Sequence, residues 1–432
     1  MSKIGFITLG CKVNTYESNA LKDKFIELGY EVGDATPDCV AYIINTCSVT
    51  NMADSKSRQM IHRCQKLNPN AIICATGCYI QSNEEAKSIE GIDILLGNAN
   101  KGDAVSLIDD MLKNNKREKI VKIFDILHNK EYEPLTATMF DHTRAFVKIE
   151  DGCQNFCTYC VIPYARGPVR SKPLMLALRE LKDISNLGYK EVVLSGIDIG
   201  KYYDKETKTN FSGLVKLILE NIPDIERIRI SSIEITQIDD EFLELLKNNP
   251  KITSHIHLPL QAGSDKVLKD MNRKYDTNRF REIVNKIREA RPDIALTTDV
   301  IVGFPTETDE EYIKSKEFIK EINFAKLHVF PYSVRNNTKA ALMPQLADSI
   351  KKKRASDLIR LSDELEKNYY KKFIGSNLSV LFEQSNDDYT VGHTSNYLEV
   401  RVNRDDNLIS KIENVSLESL ENGFIKGKIV KK

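Results

Sequence analysis

Short apolar runs separated by amphipathic helical stretches recur along most of the chain, and this alternation limits the fold more than any other feature. In residues 1–135 the runs are Ile4–Leu9, Val40–Ile44, Ala71–Ala75 and Ile92–Leu96, with helical patterns at Thr15–Leu28 and Asn51–Leu67 and Gly29 as a helix stop. Strand–helix alternation of this kind predicts an open parallel α/β sheet. Residues 139–370 repeat the unit about six times, with strands at Ala145–Ile149, Glu191–Leu194, Arg227–Ile230, Ser254–His257, Ala295–Val300 and Lys326–Phe330. A full (β/α)₈ barrel takes roughly 250 residues, so six units predict an incomplete (β/α)₆ barrel with its chemistry at the carboxyl ends of the strands. Residues 372–432 change to β-patterned runs at Leu378–Phe382, Tyr397–Val402 and Gly423–Val430, which predict a small all-β barrel. The fold class is α/β in three domains, as 432 residues would suggest.

The chain has nine cysteines, and neither a signal-peptide pattern nor a run long and apolar enough to span a membrane. An odd count without an export signal favours metal or redox chemistry in a cytoplasmic protein. Cys153-Gln-Asn-Phe-Cys157-Thr-Tyr-Cys160 follows the first barrel strand. Three thiolates on one loop can hold three irons of a cubane and leave the fourth open to a small molecule. A structural zinc normally takes four ligands, and no fourth Cys or His is near in sequence. Cys11, Cys47 and Cys78 each lie just past a predicted strand end, the edge where open α/β sheets bind ligands. A second cluster and three unrelated buried cysteines both fit that spacing. Cys39, Cys64 and Cys74 read as packing residues. Charge excludes only a strongly basic polyanion binder, because 62 Lys and Arg balance 62 Asp and Glu.

Thr8-Leu-Gly-Cys11-Lys-Val-Asn14, Asn45-Thr-Cys47-Ser-Val-Thr50 and Gly77-Cys78 resemble the amino-terminal motifs of radical S-adenosylmethionine (SAM) methylthiotransferases. Asp151 through Pro163 resembles their SAM-cluster motif, and Arg166 to Ser171 the basic segment after it. His257 to Ser264 and Asp299 to Pro305 also match, and the final β segment resembles a TRAM domain. The resemblance implies that Cys153, Cys157 and Cys160 hold a 4Fe-4S cluster that cleaves SAM, and that Cys11, Cys47 and Cys78 hold an auxiliary 4Fe-4S cluster. It implies two SAM molecules per turnover, one methylating a cluster-borne sulfur and one giving the radical that opens the target C–H bond. Tyr159, Ser195, Gly196, Glu234 and Gly303 are the expected SAM contacts, by stacking, close backbone approach, ribose bonding and adenine contact.

Leu9-Gly-Cys11-Lys-Val-Asn14-Thr-Tyr-Glu-Ser18 most resembles the subgroup that acts on N6-threonylcarbamoyladenosine at position 37, in the anticodon loop of tRNA. The other subgroups modify isopentenyladenosine in tRNA or an aspartate of a ribosomal protein. Threonylcarbamoyl carries a carboxylate, so Lys12 is the expected cation for it, with Asn14 beside it in the motif. Arg166, Arg170, Lys172, Arg273, Lys274 and the Lys351–Arg354 run are the expected phosphate contacts. His255 and His257 are assigned to opposite strand faces, as ordinary packing. The electron donor and the sulfur source are partners the sequence does not identify.

Overall fold

A computed structural model describes residues 2–430. Met1 and the last two lysines, which fall within the first and third expected domains, lie outside the described residues. The first layer is a six-stranded, all-parallel sheet: β1 (Lys3–Thr8), β2 (Glu31–Asp34), β3 (Cys39–Thr46), β4 (Ile72–Gly77), β5 (Ile94–Leu96) and β6 (Ile120–Lys122). Its order is β2-β1-β3-β4-β5-β6. β3 and β4 are central and covered on both faces, which explains their nearly continuous apolar runs. β2 and β6 escaped the sequence reading because they are short, polar edge strands with little periodicity.

α1 (Lys12–Glu27) starts three residues earlier than its apolar pattern, which makes Cys11 its N-cap residue. α2 (Asn51–Leu67) has the expected bounds, because the Thr50 side chain caps it by accepting from the Ala53 N–H at 3.1 Å.

The central strands are β7 (Arg144–Lys148), β8 (Glu191–Ser195), β9 (Arg227–Ile230), β10 (His255–His257), β11 (Ala295–Val302) and β12 (Lys326–Pro331). They form two parallel three-stranded sheets, β9-β8-β7 and β10-β11-β12. Single bridges, Ile228 to Ile252 and Ser232 to His257, join the two into one arc. This is the incomplete barrel, open between β7 and β12. Alternate residues Ala145, Val147, Val192, Leu194, Ile228, Ile230, Ile256, Leu296 and Leu327 face outward into the main apolar core under the helices. The intervening residues face the lumen, as the strand period of two requires.

The amino-terminal layer closes the open side. α1 packs on β7, and Arg335, just after β12, pairs with Asp54 of α2 at 2.7 Å. α3 (Asp348–Lys371) leads from the barrel to a closed five-stranded barrel of β13 (Asn377–Ser385), β14 (Tyr389–Thr394), β15 (Glu399–Asn403), β16 (Ile412–Glu421) and β17 (Phe424–Ile429). β14 and β16 were not legible beforehand, since polar side chains interrupt their pattern. Among the described residues no helix is long and apolar enough to cross a membrane.

Candidate active site

β1, β3 and β4 are neighbours, and each is followed at the same sheet edge by one of the three predicted cysteines. The turns touch: a Cβ on Gly10 would lie 2.9 Å from the Cys47 sulfur. Gly10 and Gly77 hold φ of +103° and +101°, conformations that side chains disfavour. Burial pushes the Cys47 thiol up to about 11, and the nearby Cys78 and Cys11 act in the same direction. Asn98 donates to the Cys78 sulfur at 3.6 Å and to the Ala165 carbonyl at 2.7 Å, tying this edge to the barrel.

A buried ion network lies beside the edge. Glu17 of α1 meets Lys101, Lys148 (3.0 Å) and Arg166 (2.9 Å). Asp151 meets Arg166 (2.9 Å), Lys148 (3.3 Å) and Arg170 (3.6 Å). Burial alone would raise the Glu17 carboxyl, but Arg166, Lys101 and Lys148 outweigh it and hold it well below the usual range. Four cations thus face Glu17 and Asp151 out of water, with the Glu133 carboxyl also near Lys148 and Lys101, and Arg166 also senses Cys78 and Cys11. Unpaired buried charge is costly. Three thiolates carrying a cluster would supply the missing negative charge, so the residues fit such a group.

The second triad lies on the loop after β7. The Cys153 N–H donates to Gly167 O at 2.9 Å, and the Cys160 N–H to Cys157 O at 3.0 Å. Asn272 braces the loop through the Asn155 and Phe156 carbonyls at 3.2 and 3.0 Å. Arg273 donates to the Cys157 sulfur at 3.3 Å and pairs with Glu234 at 2.7 Å. Burial pushes the Cys160 thiol up to about 12, with Cys157 adding to it. A buried guanidinium aimed at a sulfur suits a thiolate bound to iron. Among the described residues neither triad gathers tightly enough for a single metal ion. Cubane thiolates each bind a separate iron and need no such closeness.

A cavity of about 850 Å³ opens in the lumen beside Cys11. Cys11 and Lys12 enter it from the first layer, Ser195, Gly196 and Arg229 from the barrel, and Tyr397 from the carboxyl-terminal barrel. His255 and His257 both bond the Thr297 hydroxyl, at 3.0 and 2.9 Å. Their assignment to opposite faces was wrong: residues two apart on a strand share a face, and both line the cavity. A smaller cavity of about 240 Å³ is walled by Tyr159, Cys160, Ile301, Phe330 and Tyr332.

Residues 147–319 match the Radical SAM superfamily model, and residues 3–97 match a model described as Uncharacterized protein family UPF0004. The Threonylcarbamoyladenosine tRNA methylthiotransferase MtaB of Bacillus subtilis is 41% identical, covering 100% of this chain and 97% of that protein. Its namesake from Aquifex aeolicus is 40% identical over 92% and 96%. The chain belongs to the radical SAM methylthiotransferase family. A tRNA-2-methylthio-N(6)-dimethylallyladenosine synthase from Thermoanaerobacter is 32% identical over 98% of this chain and 92% of that protein. A solved radical SAM methyltransferase, TsrM of Kitasatospora setae, shares the fold with a TM-score of 0.59 at 12% identity, covering 79% of this chain and 77% of that one.

Several expected substrate contacts of this methylthiotransferase are corrected. Arg166, Arg170 and Lys172 are 0%, 4% and 0% exposed, so none reaches an RNA phosphate. Asn14 is also buried, bonding Leu9 O, Thr46 O and Arg166, which makes it a brace for the Cys11 turn. Arg273 serves the SAM-loop cysteine. Lys351 and Arg354 turn inward on α3, Arg354 pairing with Glu307, while Lys352 and Lys353 stay exposed. Gly303 lines neither cavity; it is buried and donates to Glu307. Glu234 is held by Arg273. Ser195, Gly196, Tyr159 and Lys12 do line cavities. Arg229 and Tyr397 were missed; the period-two pattern of β9 was the available signal for Arg229, and Tyr397, on the β14–β15 turn, had none.

Gly77 sets how Cys78 leaves β4. A Cβ there would run into the Thr46 backbone while the φ stays positive. Gly77→Ala is expected to lower stability by about 1–3 kcal/mol, read as a shift in chemical denaturation midpoint.

Proposed function

We propose that this methylthiotransferase places a methylthio group on carbon 2 of N6-threonylcarbamoyladenosine at position 37 of tRNA, using two 4Fe-4S clusters and two SAM molecules. The observation that carries it is the full-length similarity to curated threonylcarbamoyladenosine enzymes at 41% and 40%, against 32% for the dimethylallyladenosine enzyme. Lys12 in the cavity supports the same choice, since an apolar isopentenyl group has no use for a cation.

Cys11, Cys47 and Cys78 would hold the auxiliary cluster, and Cys153, Cys157 and Cys160 the SAM cluster. When bound, the clusters and SAM supply the sulfur, the methyl group and the radical that opens a C–H bond with no acidic proton. This chain's residues position and exclude. Arg273 places a positive charge on Cys157 and holds Glu234, which would bond the ribose hydroxyls of SAM. Ser195 and Gly196, on the wall of the large cavity, would admit its methionine part. Tyr159, on the wall of the small cavity beside Cys160, would pack on its adenine. The lumen cavity is lined by residues from all three proposed domains (1–135, 139–370 and 372–432).

Nucleosides of tRNA from cells with and without the gene test the reading by liquid chromatography and mass spectrometry. Loss of the 2-methylthio form with accumulation of threonylcarbamoyladenosine is expected. An unchanged profile transfers the activity to a ribosomal-protein aspartate, and loss of the isopentenyl product instead names that tRNA subgroup.

A further inference from the structure

From Phe373 onward seven Lys and Arg stand against nine Asp and Glu, a poor balance for clamping phosphates. The carboxyl-terminal barrel instead sends its β14–β15 turn into the lumen of the central barrel. Tyr397 on that turn has a φ of +67°, in the left-handed region that is costly for an aromatic residue. The surroundings enforce it. The Tyr397 N–H donates to Thr394 O at 3.0 Å, the Leu398 N–H to the Thr394 hydroxyl at 2.9 Å, and Asn396 reaches the Tyr369 hydroxyl at 3.1 Å.

The strained ring stacks on His255 with centroids 4.9 Å apart. The Arg229 and Arg144 guanidiniums lie 4.7 and 5.3 Å from its centroid, and Arg144 donates to its hydroxyl at 3.1 Å. Lys12 lies within electrostatic reach of Tyr397, Arg144, Arg229 and Glu191. Among the described residues it makes no ion pair. Of these cations Lys12 and Arg229 line the cavity; Arg229 is paired with Glu191, and Arg144 and Arg227, outside the lining, with Glu383 and Glu191. Glu366 and Glu399, also on the cavity wall, are taken by Lys326 and Arg401. Lys12 is thus left on the cavity wall without a counter-ion, beside Arg229 and Tyr397, which suits an anionic group.

We propose that Lys12, Arg229 and Tyr397 form a carboxylate seat for the N6 substituent of the target base, which makes the carboxyl-terminal barrel a specificity wall of the active site. The proposal rests on the reading that this base carries threonylcarbamoyl. An uncharged substituent would cover the Lys12 ammonium without giving it a counter-ion, which penalises its binding.

The test uses full-length, anaerobically reconstituted protein and three anticodon stem-loop RNAs. They carry threonylcarbamoyladenosine, its methyl ester or isopentenyladenosine at the same position. Binding is read by fluorescence anisotropy, and turnover by mass spectrometry. The parent protein is expected to hold the acid about 10- to 100-fold tighter than the ester. That ratio should fall to near one in Lys12→Met and fall partway in Tyr397→Phe, with ester binding unchanged. Equal binding of acid and ester by the parent overturns the seat, as does equal weakening of all three RNAs in the variants. If the parent prefers the acid but leaves it without a methylthio group, the reaction assigned above fails and the seat stands.

Discussion

Replacing Arg166 with leucine is expected to destabilise the protein by about 3–5 kcal/mol, the usual cost of removing one partner from a buried ion pair. Arg166 is fully buried. Its guanidinium donates to Glu17 and Asp151 at 2.9 Å each and to Asn14 at 2.5 Å. It therefore joins α1 of the first layer to the loop carrying Cys153, Cys157 and Cys160. Leucine would remove the one group that bonds Glu17, Asp151 and Asn14 together, leaving Glu17 to Lys101 and Lys148 and Asp151 to Lys148 and Arg170, and would release Asn14, which braces the Cys11 turn. Arg166→Lys keeps the charge but not the fork that reaches three partners, so an intermediate loss is expected. Chemical denaturation of the metal-free protein measures both, and a change below about 1 kcal/mol, the range of a surface pair, would contradict this account. The pH dependence has a definite sign. Burial works against both carboxylates, but the cations hold Glu17 well below its ordinary value and Asp151 down to about 2. Their stabilisation is thus present above the ordinary carboxylate range and is lost as pH falls through it toward about 2. In Arg166→Leu this acid-sensitive part should shrink.

The second large effect separates the two triads. Cys157→Ala is expected to abolish SAM cleavage altogether, because its sulfur is one of three on a single braced loop and no other thiol is placed to replace it. Cys11→Ala is expected to abolish methylthio transfer while SAM cleavage to 5′-deoxyadenosine continues. Each variant should carry about four irons per chain after reconstitution, where the parent carries about eight. Iron and sulfide analysis with chromatographic assay of 5′-deoxyadenosine reads both. A Cys11→Ala protein that keeps its full iron content, or that still transfers the methylthio group, would remove Cys11 from the ligand set. The separate roles are those the family resemblance implies; in the structure the Cys11 side opens on the lumen cavity beside Lys12, and Cys157 accepts from Arg273.

The sequence by itself determined the chain's periodic elements and its chemistry-bearing cysteines. Strand–helix alternation was enough for a parallel layer, an incomplete barrel and a final β segment, because burial on one or two faces imprints a period on each element. Cys153, Cys157 and Cys160 stood out by local spacing, whereas for Cys11, Cys47 and Cys78 spacing fitted a cluster and unrelated buried cysteines equally and the family resemblance favoured the cluster. Strand order was not local: that β1, β3 and β4 are neighbours, bringing Cys11, Cys47 and Cys78 together, is settled only by pairing across the sheet. The meaning of a charge was equally illegible. Arg166, Arg170, Lys172, Arg273, Lys351 and Arg354 read as surface cations, yet packing buries their side chains against carboxylates, a hydroxyl or a thiol. A basic residue looks the same in sequence whether it faces water or a buried acid. Only the tertiary structure supplies the partner that offsets its desolvation, and only it could bring Tyr397, near the chain's end, into a cavity with Lys12, near its beginning.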